Sequence, residues 1–179
     1  MTHEPWVSEV LEFWFSLDPR QWWSADPRLD EEVRERFLDL WHEQSGRPVA
    51  DFLGSPQDAL AAVVLFDQLP RNMHRGHADS FATDHMALVI AKAAIERGHD
   101  EQMTPTERGI LYMPFQHSED LADQQRSVAL FTALGGDQLG FAKKHHDVIE
   151  RFGRFPHRNR ILGRTPRPDE LAAGDVVPW

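Results

Sequence analysis

The 179-residue chain is predicted to be all-α: an antiparallel bundle or stack of about seven helices, with an irregular Arg- and Pro-rich C-terminal tail. Three observations predict it. Apolar residues recur at i, i+3, i+4 and i+7 along most of the chain. The punctuation is helical, with proline at first turns and glycine after last ones. No segment alternates convincingly with a period of two, so no strand is expected.

Pro5 opens the first helix, residues 5–17, where Val7, Val10, Leu11 and Trp14 make one apolar stripe. Residues 28–43 repeat the pattern with Leu29, Val33, Phe37, Leu40 and Trp41. Asp30, Glu31 and Glu32 fall in the first turn, where the helix dipole favours acids. The third helix, near 56–69, is apolar nearly all round from Ala59 to Phe66, as a central buried helix must be. Residues 79–97 are expected to form a long fourth helix stopped by Gly98. Thr104-Pro105-Thr106-Glu107 is a capping box for the fifth: Thr104 caps, Pro105 takes the first position and Glu107 reaches back.

Ser118 is the expected N-cap of the sixth helix, with Glu119 and Asp120 in its first turn and Gly135-Gly136 at its end. The seventh runs from about Asp137 to Phe152, with Phe141, Ala142, Val148, Ile149 and Phe152 on its apolar face and Gly153 as its stop. Pro156, Pro166, Pro168 and Pro178 then keep the tail irregular. The tail is too poor in apolar residues for a domain of its own. Residues 1–179 are therefore read as one domain, with 153–179 wrapping the bundle through Phe155, Ile161 and Leu162.

Composition excludes several functions. There is no cysteine, hence no disulfide, Cys-ligated zinc or thiol catalysis. The longest apolar run, Ala59 to Phe66, is eight residues, against about 20 for a membrane span. The start, MTHEPWVSEV, lacks a secretory signal's basic and apolar regions, so a cytoplasmic location is expected. A net charge of −10 disfavours nucleic acid and anionic membranes as partners. That charge is uneven: six arginines and no acid lie between Arg151 and Arg167, so the remaining 162 residues carry −16. These arginines either neutralise the acidic body through carboxylate pairs or hold an anionic ligand in bidentate fashion.

Three segments set dense polar groups beside an apolar helix end: 67–72 (DQLPRN), 112–120 (YMPFQHSED) and 151–159 (RFGRFPHRN). Asp67 follows eight apolar positions and must be paired, with Arg71 one turn on or an arginine from 151–158 as partner. His117 is left unexplained by capping. His145, on an apolar face, reads as a satisfied core histidine, and His146 as more exposed. His157 is suited to hydrogen bonding or acid–base work. His117, Glu119, Asp120, His145 and His157 are metal-ligand types, but no His-Glu-x-x-His, di-iron or EF-hand spacing occurs, and no metal or other cofactor is expected. Nucleotide glycine motifs and the GxSxG elbow are also missing. Of the six tryptophans, most are expected in the core, with Trp22-Trp23 a loop staple.

These strings, together with Val10-Leu11-Glu12-Phe13-Trp14-Phe15 and the Trp22-Trp23 pair, resemble in order the bacterial domain of unknown function 924. The resemblance covers nearly the whole chain and implies a tetratricopeptide-like all-α fold, with no activity attached. Three functions fit the residues. The first is a binding module: Asp67, Arg71, Asn72, Arg154, Arg158 and Asn159 would hold a small anionic molecule or a peptide. The second is an enzyme with His117 or His157 as acid–base group and Glu119 or Asp67 as its carboxylate, or a metal-assisted hydrolase. The third is an ion-pair network with only a structural role. The oligomeric state is left open.

Overall fold

The computed structural model describes residues 3–178, so Trp179 lies outside the described residues. These fold as nine α-helical stretches, and no strand occurs among them. They divide into two compact units, Met1–Leu111 and Tyr112–Trp179, with the boundary inside one helix.

The first unit contains α1 (Pro5–Ser16), α2 (Pro27–Ser45), α3 (Pro56–Val63), α4 (Leu69–Met73) and α5 (Asp84–Glu96). It also holds the opening turns of α6 (Pro105–His117). Pro5, Pro27 and Pro56 each open a helix, where the missing N–H has no intrahelical partner to lose. Asp26 caps α2 by accepting from the Arg28 N–H, and Ser55 caps α3 by accepting from the Asp58 N–H. The capping box at α6 forms as its sequence requires: the Glu107 carboxylate accepts from the Thr104 N–H at 2.7 Å, and the Glu107 N–H donates to the Thr104 hydroxyl at 3.3 Å.

The central helix does not stop near residue 69. A π-helical stretch, Val64–Gln68, joins α3 to α4, so 56–73 is one rod and the nine stretches make eight. Every residue from Ala59 to Pro70 is buried. α1 and α5 pack on α3, and α2 packs on α4. The rod passes through Pro70, and the reason is local. Pro70 has no N–H for the Phe66 carbonyl one turn back. That carbonyl instead accepts from the Thr83 hydroxyl at 2.6 Å, while the Trp41 indole donates to the same hydroxyl at 3.1 Å. Thr83→Val keeps the shape and strips both partners. It is expected to destabilise the fold by about 1.5 kcal/mol, read as a lowered urea midpoint.

The same threonine explains why 79–97 is not one helix. Ala78–Phe81 is a 3₁₀ turn, and α5 begins only at Asp84. Thr83, engaged with the central rod, holds a non-helical backbone (φ −107°, ψ 8°) between them. The far end is as expected: Gly98 takes φ +69°, which closes the helix without Cβ strain.

In the second unit, α7 (Leu121–Leu134) and α8 (Gln138–Phe152) form an antiparallel hairpin across Gly135–Asp137, and α9 (Pro168–Ala173) lies in the tail. α6 runs through Pro114 to His117, so His117 is the last residue of a helix and not a loop residue. The amide of Gln124 caps that end, donating to the carbonyls of Gln116 at 2.8 Å and Ser118 at 2.6 Å. The N-cap of α7 is Asp120, not Ser118. The Asp120 carboxylate accepts from the Ala122 and Asp123 N–H groups. The Ser118 hydroxyl accepts from the Asp120 N–H at 3.1 Å and donates to Asp123 at 2.9 Å. Both residue types can cap, and the rigid end of α6 selects the later one.

Gly153 ends α8 in the left-handed region at φ +64°. Phe155 then turns back into a core with Val148, Ile149 and Phe152, against which Ala173 and Val176 pack. Phe155 is the apolar anchor of the tail, whereas Ile161 is half-buried and Leu162 exposed. Phe141 also departs from its expected place: it is 39% exposed, with the Lys144 ammonium over its ring at 5.4 Å.

Candidate functional site

The sequence candidates fall into two groups, one in each unit. In the first unit, the π stretch places Asp67 on the buried rod with no exposure. Gln68 donates to its Oδ2 at 2.5 Å, and the Arg71 guanidinium lies 4.0 Å from Oδ1. Arg71 reaches further, to Asp84 at 2.8 Å and to the Ser80 carbonyl. Burial works against its charge, but Asp84 and Asp67 outweigh it and hold its pKa above the ordinary value. Asn72 turns the other way and donates to Asp30 at 2.8 Å, where Arg75 binds in bidentate fashion at 2.6 and 2.8 Å. Burial raises the Asp30 pKa, yet the hydrogen bonds from Arg75 and Asn72 bring it below the usual carboxylate range. Arg71 and Asn72 thus serve two separate carboxylates, on α5 and α2.

In the second unit two carboxylates organise the tail. Glu119, in the α6–α7 turn, accepts from the Phe155 N–H at 2.7 Å and from Arg164 at 2.7 and 3.1 Å. Burial raises its pKa, but the Arg164 and Phe155 hydrogen bonds outweigh this and lower it overall. Glu170, on α9, accepts from Arg154 at 2.6 and 2.8 Å, from Asn159 at 3.0 Å and from the Arg167 N–H at 2.7 Å. The Arg154 hydrogen bonds do most to hold its carboxyl far below the usual range. Arg154 and Asn159 are therefore bound to a carboxylate sixteen and eleven residues further along the tail. Asn159 Oδ1 in turn accepts from Arg164 at 3.0 Å, which joins the two carboxylates into one network.

The remaining candidates gather around the Phe155 ring. His145 meets it edge-on, with centroids 5.6 Å apart, and His157 tilts against it at 5.5 Å. The Arg158 guanidinium lies over the ring at 4.6 Å, itself nearly buried. His145 donates through Nδ1–H to the Phe141 carbonyl at 2.8 Å. Its pKa is driven down to about 3, first by burial and then by His117, Arg158 and His157, against the Phe141 carbonyl. This brings His117, His145, His157 and Arg158 into one electrostatic neighbourhood. His145 had been read as a core residue; it is that, and it also lies at the centre of this cluster.

Three residues that sequence reasoning passed over belong to these networks. Glu170 is not among the sequence candidates, and Arg164 and Arg167 enter the sequence reading only as charge. No local signal singles out Glu170, because its partners reach it through the turns of 153–167. Among the described residues, the group of histidine and carboxylate atoms close enough to hold an ion is His146, Asp147 and Glu150 on α8, largely exposed. None of the five metal-ligand candidates from the sequence is in it. An open surface hollow of about 420 Å³, lined by Asp18, Arg20, Gln21 and Ser24, lies in the α1–α2 loop. Beside it Trp22 stacks on Trp14 at 5.7 Å and donates to the Trp14 carbonyl, which makes it a staple, while Trp23 is exposed.

The class defined by these features is an all-α protein whose polar groups are organised as buried carboxylate–arginine networks and one imidazole–guanidinium cluster. No helix among the described residues is long and apolar enough to cross a membrane. The model of a bacterial protein family of unknown function, DUF924, matches residues 10–173, and the chain belongs to that family. It is also similar to a solved structure of a protein of unknown function, ATU0120 from Agrobacterium tumefaciens. The two are 40% identical, with a TM-score of 0.88, over 93% of this chain and 95% of that one. No curated protein matches the chain.

Proposed function

We propose that the protein is a binding module for a small anionic ligand, and that the cluster around Phe155 recognises the anion. The observation that carries this reading is the gathering of the His145 and His157 imidazoles and the Arg158 guanidinium around the Phe155 ring. Such a concentration of cationic and imidazole donors favours an oxyanion and disfavours a cation. The ring of Phe155, fixed in the core, orients Arg158 and His157 from below. Glu119 feels the Arg158 charge, but the hydrogen bonds to Glu119 and Glu170 come from elsewhere. Each is bound by other arginines, Arg164 for the first and Arg154 with Arg167 for the second. Glu119 is in this reading a positioning residue that fixes the Phe155 backbone, so acid–base catalysis through it is not part of the proposal.

Inorganic phosphate at 10 mM is expected to raise Tm by roughly 3 °C over chloride of equal ionic strength, as a ligand of about 1 mM affinity would. His157→Ala should remove the shift while leaving the circular dichroism spectrum unchanged. The absence of any shift across phosphate, sulfate and small carboxylates would defeat the reading.

A further inference from the structure

The hollow in the α1–α2 loop, residues 17–26, is open to solvent and lined by Asp18, Arg20, Gln21 and Ser24. Its volume of about 420 Å³ falls in the range of roughly 300–1,000 Å³ that small-molecule sites occupy. Trp23 stands in the chain between two of the lining residues and is 51% exposed. An indole left in water at a rim of polar groups offers a ligand a large, stiff contact surface.

The loop is held in this shape by its own bonds. The Asp18 carboxylate accepts from the Arg20 N–H at 2.9 Å and from its guanidinium at 3.0 and 2.8 Å. Gln21 Oε1 accepts from the Asp18 N–H at 2.9 Å, and the Gln21 N–H donates to the Asp18 carbonyl at 2.7 Å. Trp23 meets Trp22 edge-on at 6.2 Å, and Trp22 is wedged in turn against Trp14 and Phe15. The exposed indole therefore rests on an aromatic base that reaches the core. A site formed in advance loses little entropy when a ligand enters.

These bonds leave Arg20 Nη1, the Gln21 amide nitrogen and the Ser24 hydroxyl without a partner among the described residues, and Asp18 Oδ2 with one. The lining thus offers donors and acceptors together. Its charge sums to zero, because Asp18 and Arg20 neutralise each other.

We propose that this hollow binds the ring of a neutral sugar, with a C–H face of the ring on the Trp23 indole and its hydroxyls on Asp18, Arg20, Gln21 and Ser24. Each sugar hydroxyl both donates and accepts, as the mixed lining requires. Neighbouring hydroxyls match the two-pronged geometry of a carboxylate or a guanidinium. The C–H groups of the ring are weakly positive, and the face of the indole is negative. An ion finds no net counter-charge in the lining, and a nucleotide would bring phosphates to a chain of net charge −10. The proposal concerns the first unit and does not rest on the cluster around Phe155.

The test is NMR titration of the isotope-labelled full-length protein with methyl β-glucoside, methyl β-galactoside and methyl α-mannoside. Each is raised to about 50 mM, which covers the millimolar affinity expected of an open site. At least one glycoside should shift the Trp23 indole N–H resonance saturably. Sorbitol has the hydroxyls but no ring face, and it should not. In Trp23→Ala the affinity, followed through the backbone resonances of residues 18–24, should fall at least about 5-fold. Should that variant alter the circular dichroism spectrum, Ser24→Ala, expected to weaken binding about 3-fold, decides in its place. The proposal is overturned by the lack of a saturable shift with every glycoside, by an equal response to sorbitol, or by undiminished affinity in the deciding variant. Adenosine is titrated alongside, and tighter binding of it than of any glycoside would overturn the sugar in favour of a stacked nucleobase.

Discussion

Glu170→Ala is expected to lower Tm by roughly 8 °C, the largest effect of any single substitution in the tail. The carboxylate is buried and takes hydrogen bonds from Arg154, Asn159 and the Arg167 N–H, so alanine leaves the Arg154 guanidinium and the Asn159 amide without their acceptor. Removing one partner of a buried pair costs more than removing both. Glu170→Ala combined with Arg154→Met should therefore be less destabilised than the sum of the two single variants, in thermal denaturation monitored by circular dichroism. Glu170→Gln, which keeps one acceptor oxygen, should fall between wild type and alanine. Amide exchange should localise the damage: protection is lost first at Phe155, whose N–H is held by Glu119, and across 156–173. If Glu170→Ala melts with the wild type, the tail is fastened by Phe155 and its apolar neighbours alone.

This fastening was only half legible in the sequence. The six-arginine segment announced carboxylate partners, and one of them, Glu119, already stood among the candidates as a catalytic carboxylate. The second partner, Glu170, did not, because nothing in Asp169-Glu170-Leu171 distinguishes a buried carboxylate from a solvated one. Its role depends on Gly153 and the turns after it bringing Arg154 back against α9, which is a property of the folded path and not of local spacing. The helix ends show the same division. Thr104 with Glu107, and Gly98 and Gly153, carry their instruction in side-chain identity, and they fold as expected. Ser118 and Asp120 are equally able to cap, so the choice passes to the end of α6 and its Gln124 cap. The π stretch at 64–68 has no sequence signature of its own: an all-apolar run looks the same at any helical pitch, and only Pro70 and the distant Thr83 hydroxyl reveal why the pitch changes.

For the candidate site, the residue types were legible and the grouping was not. Asp67 was expected to be buried and paired, and it is both, with Arg71 one turn on. Arg71 and Asn72 are adjacent in sequence yet serve Asp84 and Asp30, because successive helical residues point about 100° apart. His145 has only apolar residues at its i±3 and i±4 positions, Phe141, Ala142, Val148 and Ile149, so its helix face gives no hint of function. Its position at the centre of the cluster comes from Phe155, ten residues on and beyond a helix end.

The stability of the fold should fall as pH is lowered from 6.5 to 4.5, and His145 should account for roughly 2.5 kcal/mol of that fall. Burial, with His117, Arg158 and His157 nearby, holds its folded pKa near 3, below the ordinary value of 6.5. Between those values the unfolded chain takes up a proton that the folded chain refuses, so stability is full above about 6.5 and declines by one proton's worth per pH unit down to the folded value. The depressed carboxylates Glu119 and Glu170 act in a different window. Their stabilisation is present above the ordinary value of 4.5 and is lost only as pH falls below it, towards their folded values. His74, also held down by burial, pulls in the same direction as His145, so the informative quantity is a difference. Urea denaturation of wild type and His145→Gln at pH 7 and 4.5 isolates it: the glutamine variant should lose about 2.5 kcal/mol less on acidification, because the group that must stay neutral is gone. Parallel pH profiles for the two proteins would mean that His145 accepts a proton readily in the folded state, and the cationic character ascribed to its surroundings would fall with it.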